Sequence, residues 1–168
     1  KGIETYILRS LLSGAFGGSP DVLIDSIVKH FKEKKEFHLK EVFEVIKENG
    51  RNLDLSKDNI LNAKYGNKEI HLLFNIWYDF NYAPSYQQNL PQIDHIFPRS
   101  IMSKIKEVSP DTGRKSKMKY KQDIINQIAN CMLLTARENG SSGKSDTPPL
   151  DYFKDKTDEF LELHLIPR

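Results

Sequence analysis

The run Gln92-Ile93-Asp94-His95-Ile96-Phe97-Pro98-Arg99-Ser100 constrains this chain more than any other stretch. Ile93 and Ile96 favour extended backbone, and Pro98, which has no N–H to donate, stops the ladder. The pattern predicts a strand over 92–97. Neighbouring side chains on a strand point to opposite faces, so Asp94 and His95 project on either side of a rigid backbone. A carboxylate held this way suits a hard metal ion, and an imidazole suits proton abstraction from water. An Asp-His dipeptide alone reads more simply as a core-edge acid beside a surface histidine. What lies downstream changes that weighting.

A chain of 168 residues is one domain, or one domain with a modest extension, and is long enough to bury a core. Its 38% hydrophobic and 29% charged content is that of a soluble globular protein. No apolar run approaches the length of a membrane span, and no signal-peptide pattern is visible. The sequence begins at Lys1 and enters an amphipathic pattern at once, which we read as a piece of a longer protein with a cytoplasmic address. Cys131 is the only cysteine, so the chain builds neither an internal disulfide nor a cysteine-based zinc site.

The net charge of +2 is unevenly spread. Residues 99–121 carry 8 basic and 2 acidic side chains, net +6, whereas 1–98 sum to −1 and 122–168 to −3. A basic block directly after the Asp-His strand reads either as a footprint for a polyanion or as a solvated loop.

The first 80 residues have helical periodicity. Ile3, Tyr6, Ile7, Leu11 and Leu12 form one stripe, ended by Gly14, Gly17 and Gly18. Ser19-Pro20-Asp21 is a helix start, followed by Val22, Leu23, Ile27, Val28 and Phe31. Leu39, Val42, Phe43 and Ile46 form a third stripe closed by Asn49-Gly50, and Ser56 can cap a short fourth helix. A fifth helix runs from Lys68 to about Phe80, with Trp77 and its other aromatics expected in the core. After an irregular stretch and the strand at 92–97, Ser109–Gly113 is a turn cluster that divides the basic segment. Asp123–Gln127 reads as a short helix or turn, and Ala129–Leu134 as a second strand. Thr135 with Glu138 three residues on forms a capping box for a short helix reaching Asn139. A last helix is expected over about Leu150–Leu163.

Taken in order, Asp94-His95-Ile96-Phe97-Pro98-Arg99-Ser100, Asn130-Cys131-Met132-Leu133-Leu134, Glu138-Asn139 and Gly143-Lys144-Ser145-Asp146 resemble an HNH endonuclease of the ββα-metal type. The resemblance is close to the HNH domains of RNA-guided CRISPR nucleases. It extends to the C-terminal nuclease domain of GmrSD-type modification-dependent restriction proteins, which the helical first half and the asparagine-then-lysine ending fit better. The motif covers roughly residues 90–153. The fold it implies is α+β and mainly helical, with a helical subdomain over 1–80 and an HNH core over 81–168. That core carries the basic segment 99–121 between its strands and a C-terminal helix.

The resemblance also implies roles. His95 matches the general base, and Asp94 and Asn139 match ligands of one Mg²⁺ or Mn²⁺ ion. Asn130 matches the middle asparagine, which pins the loop between the strands and helps orient the base. Lys144 matches a lysine near the scissile phosphate, although at this spacing it reads equally as a solvated side chain. Arg99, Lys115, Lys117 and Lys119 are the expected DNA contacts in the basic segment. Glu138, about 100° from Asn139 on an ideal helix, reads as a cap or ion-pair partner. His30, His38, His71 and His164 read as structural, and Cys131 as a small buried hydrophobe.

The implied function is metal-dependent cleavage of DNA to 5′-phosphate and 3′-hydroxyl ends, in phage defence, with an N-terminal NTPase-like sensing domain elsewhere in the full-length protein. Two rivals stand beside it: a DNA-binding module with a lapsed site, and a pure interaction domain. Retention of all four of Asp94, His95, Asn130 and Asn139 speaks against the first. DNA affinity at low salt would speak against the second.

Overall fold

Apolar residues at helical spacing generate α1 (Gly2–Ser13), α2 (Asp21–Phe31) and α3 (Leu39–Glu48) in the first part of the chain. The computed structural model describes residues 2–32, 34 and 36–167. It divides into two units, one ending at Ile60 and the other running from Leu61. In the first unit, Ala15, Leu23, Val42, Ile46 and Leu53 are buried together, with Tyr6, Phe16 and Phe43 packed around them. The Arg51 guanidinium ties down the glycine-rich loop by donating to the carbonyls of Ala15, Gly17 and Ser19 at 2.8, 2.7 and 3.2 Å. Ser19 does not cap α2; Pro20 is itself the N-cap residue, and the helix starts at Asp21. A short α4 (Lys57–Leu61) follows Ser56.

The second unit contains α5 (Lys68–Trp77), β1 (Pro91–His95), α6 (Arg99–Met102), β2 (Lys106–Val108), β3 (Lys115–Met118) and α7 (Gln122–Ile125). A 3-10 turn over Ile128–Asn130 leads into β4 (Cys131–Thr135), then α8 (Ala136–Asn139), α9 (Pro149–Phe153) and α10 (Asp158–Leu163). The architecture is α+β, with helices around two antiparallel pairs, β1–β4 and β2–β3. In the first pair Ile93 lies opposite Leu133, Asp94 opposite Met132 and His95 opposite Cys131.

Helix α5 belongs with these strands, so the units divide after Ile60 rather than at residue 80. Ile70 is completely buried and joins Ile93, Cys131 and Leu133 in one core, with Leu73 and Phe74 against it. The helix stops at Trp77 because Asp79 and Phe80 take positive φ, 50° and 53°. Trp77 is therefore half-exposed rather than core, its indole N–H donating to the Leu163 carbonyl at 3.0 Å, and Phe80 is exposed.

The basic segment also departs from the expected connection. It folds into α6 and the β2–β3 hairpin, whose turn is the Ser109–Gly113 cluster: Gly113 N–H donates to the Ser109 carbonyl at 2.8 Å with φ of 64°. The expected last helix is two helices. Thr157 breaks it, its hydroxyl accepting the Phe160 N–H to start α10.

His164 follows α10 and is 5% exposed. Its Nδ1 lies 2.8 Å from the Tyr78 hydroxyl, its ring lies 4.3 Å from that of Phe160, and its Nε2 is buried with no hydrogen-bond partner among the described residues. Burial pushes its pKa down to about 4, helped by Lys156 and opposed by Glu138. Between that value and the unfolded pKa of about 6.5, the unfolded chain binds the extra proton. Stability must therefore fall as pH falls through this window, by on the order of 3 kcal/mol. Denaturant titrations at pH 7 and pH 4.5 should show this loss. His164→Gln should flatten it, and an unchanged pH slope in that variant would assign the loss to another group.

Candidate functional site

Strand β1 has a buried face, Ile93 and His95, and an outer face, Gln92 and Asp94. Strand β4 leads directly into α8, and the expected capping box forms at the junction. The Thr135 hydroxyl accepts from Glu138 N–H at 3.2 Å, and Glu138 Oε2 accepts from Thr135 N–H at 2.8 Å. The same carboxylate oxygen accepts from the Tyr82 hydroxyl at 3.2 Å, which fixes Glu138 as a structural acceptor. Its negative charge adds to burial in raising the pKa of Tyr82, and in raising that of Tyr152 to about 12. The capped helix places Asn139 over the outer face of β1, its Nδ2 donating to Gln92 Oε1 at 3.3 Å. Gln92 and Asp94 share that face, so the Asn139 amide sits on the Asp94 side of the strand.

His95 is 7% exposed and is held from two directions. The Tyr65 ring lies 4.3 Å from it with planes 34° apart, and Asn126 Oδ1 lies 3.0 Å from its Nε2. An amide oxygen only accepts, so Nε2 carries the proton and Nδ1 is the basic nitrogen. The chain builds this clamp by docking residues 63–65 on 126–128. Tyr65 N–H donates to the Asn126 carbonyl at 2.8 Å, Ile128 N–H to the Ala63 carbonyl at 3.1 Å, and Lys64 pairs with Asp123 at 2.9 Å. Neither Tyr65 nor Asn126 is signalled by sequence. Each lies in a segment with no motif, about thirty residues to either side of His95.

Asn130 anchors the loop after β1. Its Oδ1 accepts from Phe97 N–H at 2.8 Å, while its Nδ2 donates to the Phe97 and Ile125 carbonyls at 3.2 and 2.8 Å. Its own carbonyl accepts from Ile96 N–H at 2.8 Å. Apart from a contact of Nδ2 with Met102 Sδ at 3.6 Å, the side chain is spent on backbone, and it fixes the end of the strand that carries His95.

Lys144 is neither a surface phosphate contact nor solvated. Its side chain is fully buried. The ammonium lies 2.7 Å from Asp94 Oδ2, donates to the His95 carbonyl, and sits 6.0 Å from the centre of the Tyr152 ring. Among the described residues Asp94 Oδ2 makes no directed hydrogen bond, so its contact with Lys144 is an ion pair of oblique geometry. The loop carrying Lys144 is clamped to the end of α8: Lys144 N–H donates to the Glu138 carbonyl at 2.7 Å, and Ser145 N–H to that of Asn139 at 3.1 Å.

The expected DNA contacts lie elsewhere on the unit's surface. Arg99 is exposed at the start of α6, and every residue of β3 is exposed. Lys117 is paired with Glu107 across the hairpin at 3.2 Å, and the Lys119 ammonium lies 5.3 Å from the Tyr120 ring.

No group of three His, Cys, Asp or Glu side chains suited to a metal occurs among the described residues. That argues against a zinc-type cage, whereas a hard ion that keeps most of its water needs only one or two protein oxygens. The Asp94 carboxylate, 17% exposed, and the Asn139 amide on the same face of β1 are oxygen donors of that kind. They fit a single hard divalent ion. No helix among the described residues is long and apolar enough to cross a membrane.

Residues 50–166 match the family described as GmrSD restriction endonucleases, C-terminal domain. No curated protein matches the chain.

Proposed function

We propose, from the premise that this chain belongs to the family of GmrSD restriction endonuclease C-terminal domains, that its Asp94–His95 site hydrolyses DNA phosphodiester bonds as an HNH-type nuclease. The observation that carries this reading is the bond from His95 Nε2 to Asn126, which leaves a basic Nδ1 on a buried, immobilised imidazole next to Asp94. In the proposed reaction His95 Nδ1 accepts a proton from a water whose oxygen attacks phosphorus. The P–O3′ bond breaks, and the leaving oxygen takes a proton from solvent, giving 5′-phosphate and 3′-hydroxyl ends. Asp94 and Asn139 would hold one Mg²⁺ or Mn²⁺ ion, whose Lewis acidity stabilises charge on the phosphate and leaving oxygen. Asn130 and Tyr65 keep the imidazole in place. The resemblance to GmrSD-type restriction proteins further supports a place in a larger cytoplasmic phage-defence protein with an NTPase-like sensing region.

Plasmid DNA incubated with the protein in Mg²⁺ or Mn²⁺ tests the proposal. We expect cleavage, abolished by EDTA without a large fall in melting temperature, because the buried clusters are mainly apolar and, among the described residues, gather no set of metal-ligating side chains. A failure to cut under either metal would overturn the reading. A collapse of the fold on chelation would instead indicate a structural ion.

DNA binding is expected to follow the basic segment. If about four of its side chains neutralise phosphates, log affinity falls against log salt with a slope of roughly −3.6. Replacing Lys115, Lys117 and Lys119 by Ala should make the slope shallower by up to roughly 2.7, equally across sequences, because phosphate contacts carry no base information. An unchanged slope in filter-binding titrations would move the DNA track away from the β2–β3 hairpin.

A further inference from the structure

We infer that Lys144 is an internal counter-ion to Asp94, and that it makes uptake of the divalent ion depend on bound DNA. The inference rests on the proposed nuclease reading, since it needs Asp94 to be a metal ligand. Lysine is almost never fully buried unless paired, and here the whole side chain is withdrawn from solvent to reach Asp94 Oδ2 and the His95 carbonyl. The ammonium is held there by its loop. A Cβ on Gly143 would lie 2.1 Å from the Glu138 carbonyl oxygen, and the next two N–H groups bond the end of α8.

Two consequences follow from this placement. The ammonium holds one carboxylate oxygen of Asp94, which fixes the rotamer and leaves Oδ1 as the oxygen available to a cation. It also cancels the only formal negative charge of the donor pair, because Asn139 is a neutral amide. Buried charges are little screened by salt, so a divalent ion on Asp94 Oδ1 feels the ammonium at close range. The protein's share of the site is net neutral and should bind the ion weakly. A DNA phosphate placed at the site supplies the missing negative charge. Metal and DNA then raise each other's affinity by the same factor. Such coupling would keep the nuclease metal-free until substrate arrives.

Titration of the whole chain with Mn²⁺, followed by the loss of the free-ion paramagnetic resonance signal, tests this. A phosphorothioate duplex that resists cleavage serves as the DNA. For the parent protein we expect the duplex to tighten Mn²⁺ binding at least tenfold. Lys144→Met, which keeps the length of the side chain without its charge, should bind Mn²⁺ at least tenfold more tightly than the parent in the absence of DNA. A merely structural lysine would give the opposite, a looser site. Equal or weaker binding by a folded Lys144→Met protein overturns the inference. If that variant does not fold, equal Mn²⁺ affinity of the parent with and without duplex overturns it as well. Asp94→Ala separates the two levels. If that variant binds Mn²⁺ as the parent does, the metal-site reading itself fails. If it loses the ion while Lys144→Met shows no gain, only the counter-ion role is lost.

Discussion

His95→Ala is expected to slow single-turnover DNA cleavage by roughly 10²–10⁴-fold, the usual contribution of a general base. The ring is the only imidazole on the strand beside Asp94, and its tautomer is set by Asn126 at 3.0 Å. The same change removes a buried ring stacked on Tyr65, so a modest fall in melting temperature should accompany the loss of rate. The two effects are separable, because the exposed lysines of β3, the proposed DNA contacts, do not include this ring. Rate loss with retained duplex affinity is the expected outcome. Asn126→Ala should fall between the parent and His95→Ala, since the imidazole remains while its tautomer and orientation are released. A parental rate in His95→Ala would remove this residue from the chemistry.

What the sequence made legible was local. The Thr135–Glu138 capping box could be read because donor and acceptor lie three residues apart, and it forms as expected. The strands around Asp94 and Cys131 could be read from β-branched and apolar runs. The β2–β3 hairpin could not, because β3 is exposed throughout and β2 is three residues long with an exposed valine, so neither shows the apolar alternation of a half-buried strand. Lys144 looked like a surface cation for the same reason: nothing in Gly143-Lys144-Ser145 states that the loop turns inward. Asn126 reaches His95 across thirty-one residues, and a lone asparagine carries no such signal. The break at Thr157, by contrast, was written in the chain. A threonine followed by Asp158 and Glu159 is a helix start, although the apolar stripe runs on through it.

Gly143→Ala is expected to damage stability and activity together. A methyl group at this position would lie 2.1 Å from the Glu138 carbonyl oxygen, 2.6 Å from its carbon and 2.8 Å from the Arg137 carbonyl oxygen. All three are backbone atoms at the end of α8, so no side chain can swing aside. Relieving the overlap means lifting the loop from the helix, which breaks the Lys144 and Ser145 N–H bonds to the Glu138 and Asn139 carbonyls. Overpacking of this severity costs about 3 kcal/mol or more. For a unit of this size that lowers the melting temperature by on the order of 10 °C. Lifting the loop also withdraws the ammonium from Asp94 and leaves that carboxylate without its partner. Gly140→Ala is the internal control, because a methyl group there meets the Ala136 carbonyl oxygen at 3.2 Å and the Arg137 carbonyl oxygen at 3.6 Å, and the backbone φ of −62° accepts any residue. Thermal melts and cleavage rates should therefore show a large joint loss in Gly143→Ala and a small effect in Gly140→Ala. If both variants melt with the parent, the loop does not press on α8 as described, and the route by which Lys144 reaches Asp94 must be redrawn.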